Sequence, residues 1–258
     1  MVYMGSKGGI LEQIIPILES RRRSPDQLFV DAFGGGFNVV TAMSGPRWGN
    51  EYNHVIVDMF KYLQEKVYFD ERTCEWCFPA DTFPEEVSKE DYLYIRAHKD
   101  EYPSWLIAYV GFCCSFKATY FQGYAGKMYQ DRNRASIYRQ FTMKYHSGMR
   151  DVKLFSGDYR DLVIPSGSMV YNDIPYKNTS GYKTGDGKGN AFDHQAFYEW
   201  ACSQVDDNHC DVYLSEYTEP DWGRWELIWS NEKRNLMYSK EGAAVSHIEK
   251  LFKCLGRE

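Results

Sequence analysis

Leu28-Phe29-Val30-Asp31-Ala32-Phe33-Gly34-Gly35-Gly36-Phe37-Asn38 is the stretch on which the fold turns. It sets a short apolar run, an acid and three consecutive glycines side by side. The run reads as a buried strand, because a brief apolar segment closed by turn residues can bury both of its faces in a sheet. It ends at Asp31. The glycines behind it let backbone approach a ligand closely where a helix begins. They are neither of the common phosphate fingerprints: Val39 stands three residues after Gly36 where a third spaced glycine would be, and no Lys-Ser/Thr follows.

The same layout recurs along the chain. Val55-Ile56-Val57 runs into Asp58, Val152 to Phe155 leads to Gly157-Asp158, Met169-Val170-Tyr171 ends at Asn172-Asp173, and Val212-Tyr213-Leu214 ends at Ser215-Glu216. Helical patterns over Met59–Phe69 and Phe192–Val205 separate several of these runs. The resulting β-α-β order predicts a parallel sheet with helices packed on it. In such sheets the ligand crevice lies outside the carboxyl ends of the strands, so the acids are expected to converge there. Each acid alone equally suits a helix cap. Together they suit a ligand with hydroxyls, amines and positive charge better than a polyphosphate. Asp58, 22 residues beyond Gly36, stands where an acid takes ribose hydroxyls in a nucleoside site.

The 258 residues suffice for one domain with a large insertion or for two modest ones. No apolar run reaches 18 residues, and Met1 to Lys7 lacks the layout of a signal peptide, so a cytoplasmic protein without membrane contact is expected. Seven cysteines at irregular spacings do not suggest a disulfide framework. Cys74-Glu75-Trp76-Cys77 lacks a second pair at zinc-binding spacing, and no metal is expected. The net charge of −6 argues against a uniformly basic nucleic-acid binder, but its distribution is uneven. Residues 69–102 carry a local −6. Residues 115–150 hold seven bases, including Lys117, Lys127, Arg132, Arg134 and Arg139, against Asp131 alone, interleaved with Tyr120 and other aromatics. That pattern reads either as a solvated face or as a surface that contacts a polyanion and stacks on bases.

Tyr3-Met4-Gly5-Ser6-Lys7, the stretch Phe29 to Gly36, Asp58, Gly157-Asp158-Tyr159 and Asn172-Asp173-Ile174-Pro175-Tyr176 stand in the order found in DNA adenine-N6 methyltransferases of the Dam type. Over nearly its whole length the chain resembles that family. Ser115-Phe116 and Tyr120-Phe121-Gln122-Gly123-Tyr124-Ala125 are similar to phage-borne members. Two positions depart from the family pattern: Ile174 replaces the first proline of Asp-Pro-Pro-Tyr, and Phe37 replaces the last glycine of Phe-x-Gly-x-Gly.

The resemblance implies an α/β, Rossmann-like S-adenosylmethionine-dependent methyltransferase sheet formed by residues 1–64 and 150–258. An inserted, mainly helical subdomain at 65–149 would recognise double-stranded DNA. It also implies catalysis by Asp173, the carbonyl of Ile174, Pro175 and Tyr176 on an adenine turned out of the duplex. Tyr3 and Lys7 would hold the methionine end of the cofactor, with Asp31, Phe33 and Gly34 to Gly36 close by. Asp58 would take the ribose, and Asp158 with Tyr159 the cofactor's adenine. Lys117, Tyr120, Lys127, Arg132, Arg134 and Arg139 would contact DNA. The same motifs leave room for an inactive, DNA-binding relative, or for a methyltransferase acting on RNA or a protein glutamine.

Overall fold

The computed structural model describes residues 7–143, 147–176, 192–231, 235–238 and 244–257. Seven strands form the central sheet: β1 (Phe29–Asp31), β2 (Arg47–Glu51), β3 (Lys153–Ser156), β4 (Met169–Asn172), β5 (Asp211–Glu216), β6 (Trp225–Ser230) and β7 (Lys250–Cys254). Their order across the sheet is β3-β2-β1-β4-β5-β7-β6. The five strands from β3 to β5 are parallel, and β7 runs antiparallel to both of its neighbours. The chain thus builds outward from β1 to β3, then crosses to the other side of β1 with β4. This switch puts a crevice at the carboxyl ends of β1 and β4. The architecture is α/β, with a mostly parallel sheet compatible with a Rossmann-like fold.

Both faces of the sheet are covered, and the period-two alternation of the strands shows it. Phe29, Met169, Tyr171, Tyr213 and Leu251 enter one core together with α1 (Leu11–Ser20), α2 (Asn38–Ala42) and α3 (His54–Lys66). Val30, Val170, Val212, Leu214 and Phe252 enter a second core against Phe197, Tyr198 and Ala201 of α7 (His194–Asp206). None of the described helices is long and apolar enough to cross a membrane.

One expected strand is a helix. Val55-Ile56-Val57 lies in the first turns of α3, because the apolar set continues to Met59, Phe60 and Leu63 at helical spacing and all six are buried. Tertiary burial overrides the β preference of three branched residues. Asp58 therefore sits on a helix and does not terminate a strand. The strand in that position is β2, Arg-Trp-Gly-Asn-Glu, whose acid is Glu51. Arg47 is buried there because its guanidinium donates to the carbonyls of Gly45, Val40 and Thr41, two of which belong to α2.

Between α3 and β3 the chain forms a ribbon (Tyr68–Asp70 with Glu75–Cys77) and helices α4 (Lys89–Ala97), α5 (Ser104–Ala108) and α6 (Lys127–Phe141), and its described residues add no strand to the large sheet. Its apolar residues Phe83, Tyr109, Ile137 and Phe141 share one core with Phe29 and Phe60. The stretch is thereby seated firmly on the α3 side of the sheet.

Candidate active site

The carboxyl ends of β1, β2 and β3 are laced together by two residues of β2. Asn50 Nδ2 donates to the carbonyls of Ala32 (3.2 Å) and Gly157 (3.1 Å). Glu51 Oε2 accepts from the N–H of Gly35 (2.8 Å), and its Oε1 accepts from that of Asn53 (2.9 Å). Burial raises the Glu51 carboxyl against the pull of those two N–H groups. Glu51, and not Asp58, is the acid at the end of the second strand, and no apolar run pointed to it.

The glycine turn is rigid. Gly34 N–H donates to Asn50 O at 2.7 Å, the N–H of Phe37 returns to Gly34 O at 2.6 Å, and Gln140 of α6 donates to Gly36 O at 3.0 Å. Phe37 takes the left-handed conformation (φ 56°) that a glycine would adopt freely. Its ring is wholly buried, edge-on to Phe60 at 5.1 Å, and points away from the crevice. A Cβ on Gly34 would lie 2.3 Å from that ring, so Gly34 is required by the phenylalanine beside it. Phe33 packs on Tyr159 (4.9 Å between centroids), Phe192 and Phe197.

Asp31 is the most perturbed acid of the crevice. Burial, and then the nearby Asp173 carboxylate, push its carboxyl up to about 8, opposed by the N–H groups of Val40 and Phe33. Its Oδ1 and the Oδ1 of Asn172 are buried with no hydrogen-bond partner among the described residues. Asp158 stands elsewhere electrostatically: Arg160 grips its carboxylate through Nε (2.9 Å) and Nη2 (2.7 Å), which holds it below the usual carboxylate range.

Beyond Asn172 the chain leaves β4 as Asp173-Ile174-Pro175-Tyr176. Ile174 turns its side chain into the second core. His194 Nε2 donates to the Pro175 carbonyl at 2.9 Å, pinning the turn to the start of α7. Lys7 Nζ lies 2.7 Å from Asp173 Oδ1 and 3.3 Å from Glu249 Oε1. It also donates to the hydroxyl of Tyr176, which in turn donates to Glu249. Tyr217 meets the Tyr176 ring edge-on at 4.2 Å. Burial opposes the charge on Lys7, but Asp173 and Glu249 outweigh it and hold its pKa above the ordinary value. Glu249 is raised by its own burial, with Lys7 pulling the other way. Sequence reasoning missed Glu249 because it precedes its strand. Since β7 is reversed, its beginning lies where the parallel strands end, and Lys250 pairs with Glu216.

Lys7, Asp31, Asp173 and Tyr176 thus come together, with Gly34 to Gly36 along the same edge of the sheet. Tyr3 lies outside the described residues, as does most of the polar loop after Tyr176. The basic residues divide. Arg134 donates to the carbonyls of Pro84 (2.9 Å) and Glu85 (3.0 Å) and to Asp131 (2.6 Å), so it is a clamp within the fold and not an open DNA contact. Lys127 is shared by Glu85 and Asp131. The acidic stretch has partly neutralised the basic one. Tyr120 packs on Phe112 and lies under Lys99. Arg132 and Arg139 are exposed on α6, and Lys117 is exposed beside the ring of Phe116, itself half exposed.

No protein-family model matches the chain, and no curated protein matches it.

Proposed function

We propose that the protein transfers a methyl group from S-adenosylmethionine to the N6 amino group of adenine in double-stranded DNA. The observation that carries this reading is Asp173 followed by the Ile174-Pro175 turn at the carboxyl end of β4, beside Asp31 and at the switch in strand order. The resemblance to Dam-type enzymes supports it from the side of the sequence.

The polar groups along this edge fit a nucleoside bearing positive charge. Asp31 and Asn172 each offer a buried oxygen without a partner among the described residues, and each Glu51 oxygen uses one lone pair on a backbone N–H and keeps another. Glu51 would accept the ribose hydroxyls, Asp31 would face the cationic part of the cofactor, and the glycine turn would let backbone approach it. Asp158 would reach the cofactor's adenine only by yielding part of its hold on Arg160. When bound, the cofactor supplies an electrophilic methyl group.

The remaining work falls to the chain's own residues. The lone pair of an adenine amino nitrogen is delocalised into the ring, so the protein must draw the two N–H bonds toward acceptors and free that pair. The Asp173 carboxylate and the carbonyl of Ile174 would be those acceptors, and a carbonyl is present whether residue 174 is proline or isoleucine. Pro175 stiffens the turn, and His194 secures it. Tyr176 would stack on the displaced base. Arg132, Arg139 and Lys117 are the exposed bases for the phosphate backbone.

The test is transfer of a labelled methyl group to adenine in duplex DNA of mixed sequence. Wild type should label DNA, and Asp173→Ala should abolish labelling while leaving cofactor affinity within about twofold. Normal cofactor binding with no transfer to any DNA would favour the inactive, DNA-binding reading. Label appearing in RNA or protein alone would move the substrate class.

A further inference from the structure

We propose that Glu249 is a positioning residue that acts through Lys7, as the second counter-ion to which Lys7 shifts when Asp173 engages its substrate. The inference rests on the reading of Asp173 as the acceptor of the amino protons.

The geometry contains a conflict that Glu249 resolves. Lys7 Nζ sits 2.7 Å from Asp173, and its side chain is only 6% exposed. A carboxylate bound that closely to an ammonium group is a weakened acceptor, because part of its charge is already neutralised. To draw an amino group fully, Asp173 must be released by Lys7. A buried lysine that loses its only anion would pay a large desolvation cost, and that cost would tie Lys7 to Asp173 permanently. Here a second carboxylate is already in place, at 3.3 Å from the ammonium and as deeply buried as Lys7 itself. Moving from one oxygen to the other is a displacement of a fraction of an ångström, and the ammonium remains paired throughout.

Tyr176 makes the arrangement more than a chance contact. Its hydroxyl accepts from Lys7 and donates to Glu249, so all three groups are held in one closed ring of hydrogen bonds. Glu249 is in turn fixed from its backbone, where its carbonyl accepts from Asn231 N–H at 2.7 Å. The residue thereby tethers Tyr176, on the acceptor side of the site, and Lys7 at once. It makes no part of the glycine turn and none of the contacts of Glu51.

Two measurements on the full-length chain test this. The first is a double-mutant cycle with Asp173→Asn and Glu249→Gln, read from urea unfolding midpoints. Either single variant leaves Lys7 one carboxylate, whereas the double variant leaves it none, so the double should lose more than the two single losses combined. Additive losses would overturn the proposal, and this arm does not depend on the activity. The second is steady-state methyl transfer. Glu249→Gln should lower kcat on the order of tenfold or more with little change in KM for the cofactor, and Glu249→Asp should restore part of the loss. An unchanged kcat, or a rise in cofactor KM alone, would overturn it. Absence of transfer by wild type would refute the reading of the function, and the unfolding cycle would still decide whether Glu249 is the second counter-ion.

Discussion

Asp31→Asn isolates the electrostatic cost of the crevice. The carboxyl lies at about 8 in the folded chain against 3.8 for the free side chain, chiefly because it is buried and secondarily because Asp173 is close. Between those two values the folded protein holds a proton that the unfolded chain has released, so stability falls as pH rises through that window and levels off above about 8. At about 1.4 kcal/mol per unit, the loss over roughly four units is about 6 kcal/mol. Asparagine cannot ionise and removes the slope. Its oxygen can still accept from Val40 and Phe33, while its amide nitrogen would replace the unpartnered Oδ1, at a cost of about 1–3 kcal/mol that does not vary with pH. The two proteins should be compared by urea unfolding at intervals from pH 5 to 8.5. Wild type should lose stability relative to the variant by several kcal/mol across that range. Parallel curves would refute the reasoning, because the other raised acids, Glu51 and Glu249, are common to both proteins.

Further outcomes follow from the positions of the neighbouring groups. Glu51→Ala should weaken cofactor binding by about 1–3 kcal/mol in calorimetry, and Asp58→Ala should leave it unchanged, because only Glu51 ends a strand beside the glycine turn. Arg134→Ala should lower the unfolding midpoint by taking its donor from the Pro84 carbonyl and leaving the Glu85 carbonyl only the 3.5 Å contact from Lys127. Arg132→Ala with Arg139→Ala should instead spare stability, weaken DNA binding and flatten its salt dependence by up to about one unit of slope per lost phosphate contact. Ile174→Pro should keep methyl transfer, since the carbonyl remains. It should cost about 1 kcal/mol of stability, because the Ile174 side chain fills the second core; loss of activity in a folded variant would show that the isoleucine itself is needed at the turn.

The sequence by itself determined the parallel sheet, the glycine turn after β1 and the two acids at the switch point. Those features are local: a short apolar run, the residue that ends it and the turn behind it are written within a few consecutive positions. Tertiary structure alone decided the rest. It made Val55-Ile56-Val57 a helix, since burial along one helical face outweighs the preference of branched residues for strands. It made a strand of Arg47-Trp48-Gly49-Asn50-Glu51, whose buried arginine is tolerable because the carbonyls of Gly45, Val40 and Thr41 face it. It turned Arg134 inward to backbone that lies some fifty residues away in sequence. It also brought Glu249 to the site by reversing β7, so that the start of one strand meets the ends of the others. For Arg134 and Glu249 the deciding partner is distant along the chain, and pairing across such distances is set by packing and strand direction, which no local pattern encodes; for Arg47 and Val55 to Val57 the partners are near in sequence, and burial decides between the two local preferences.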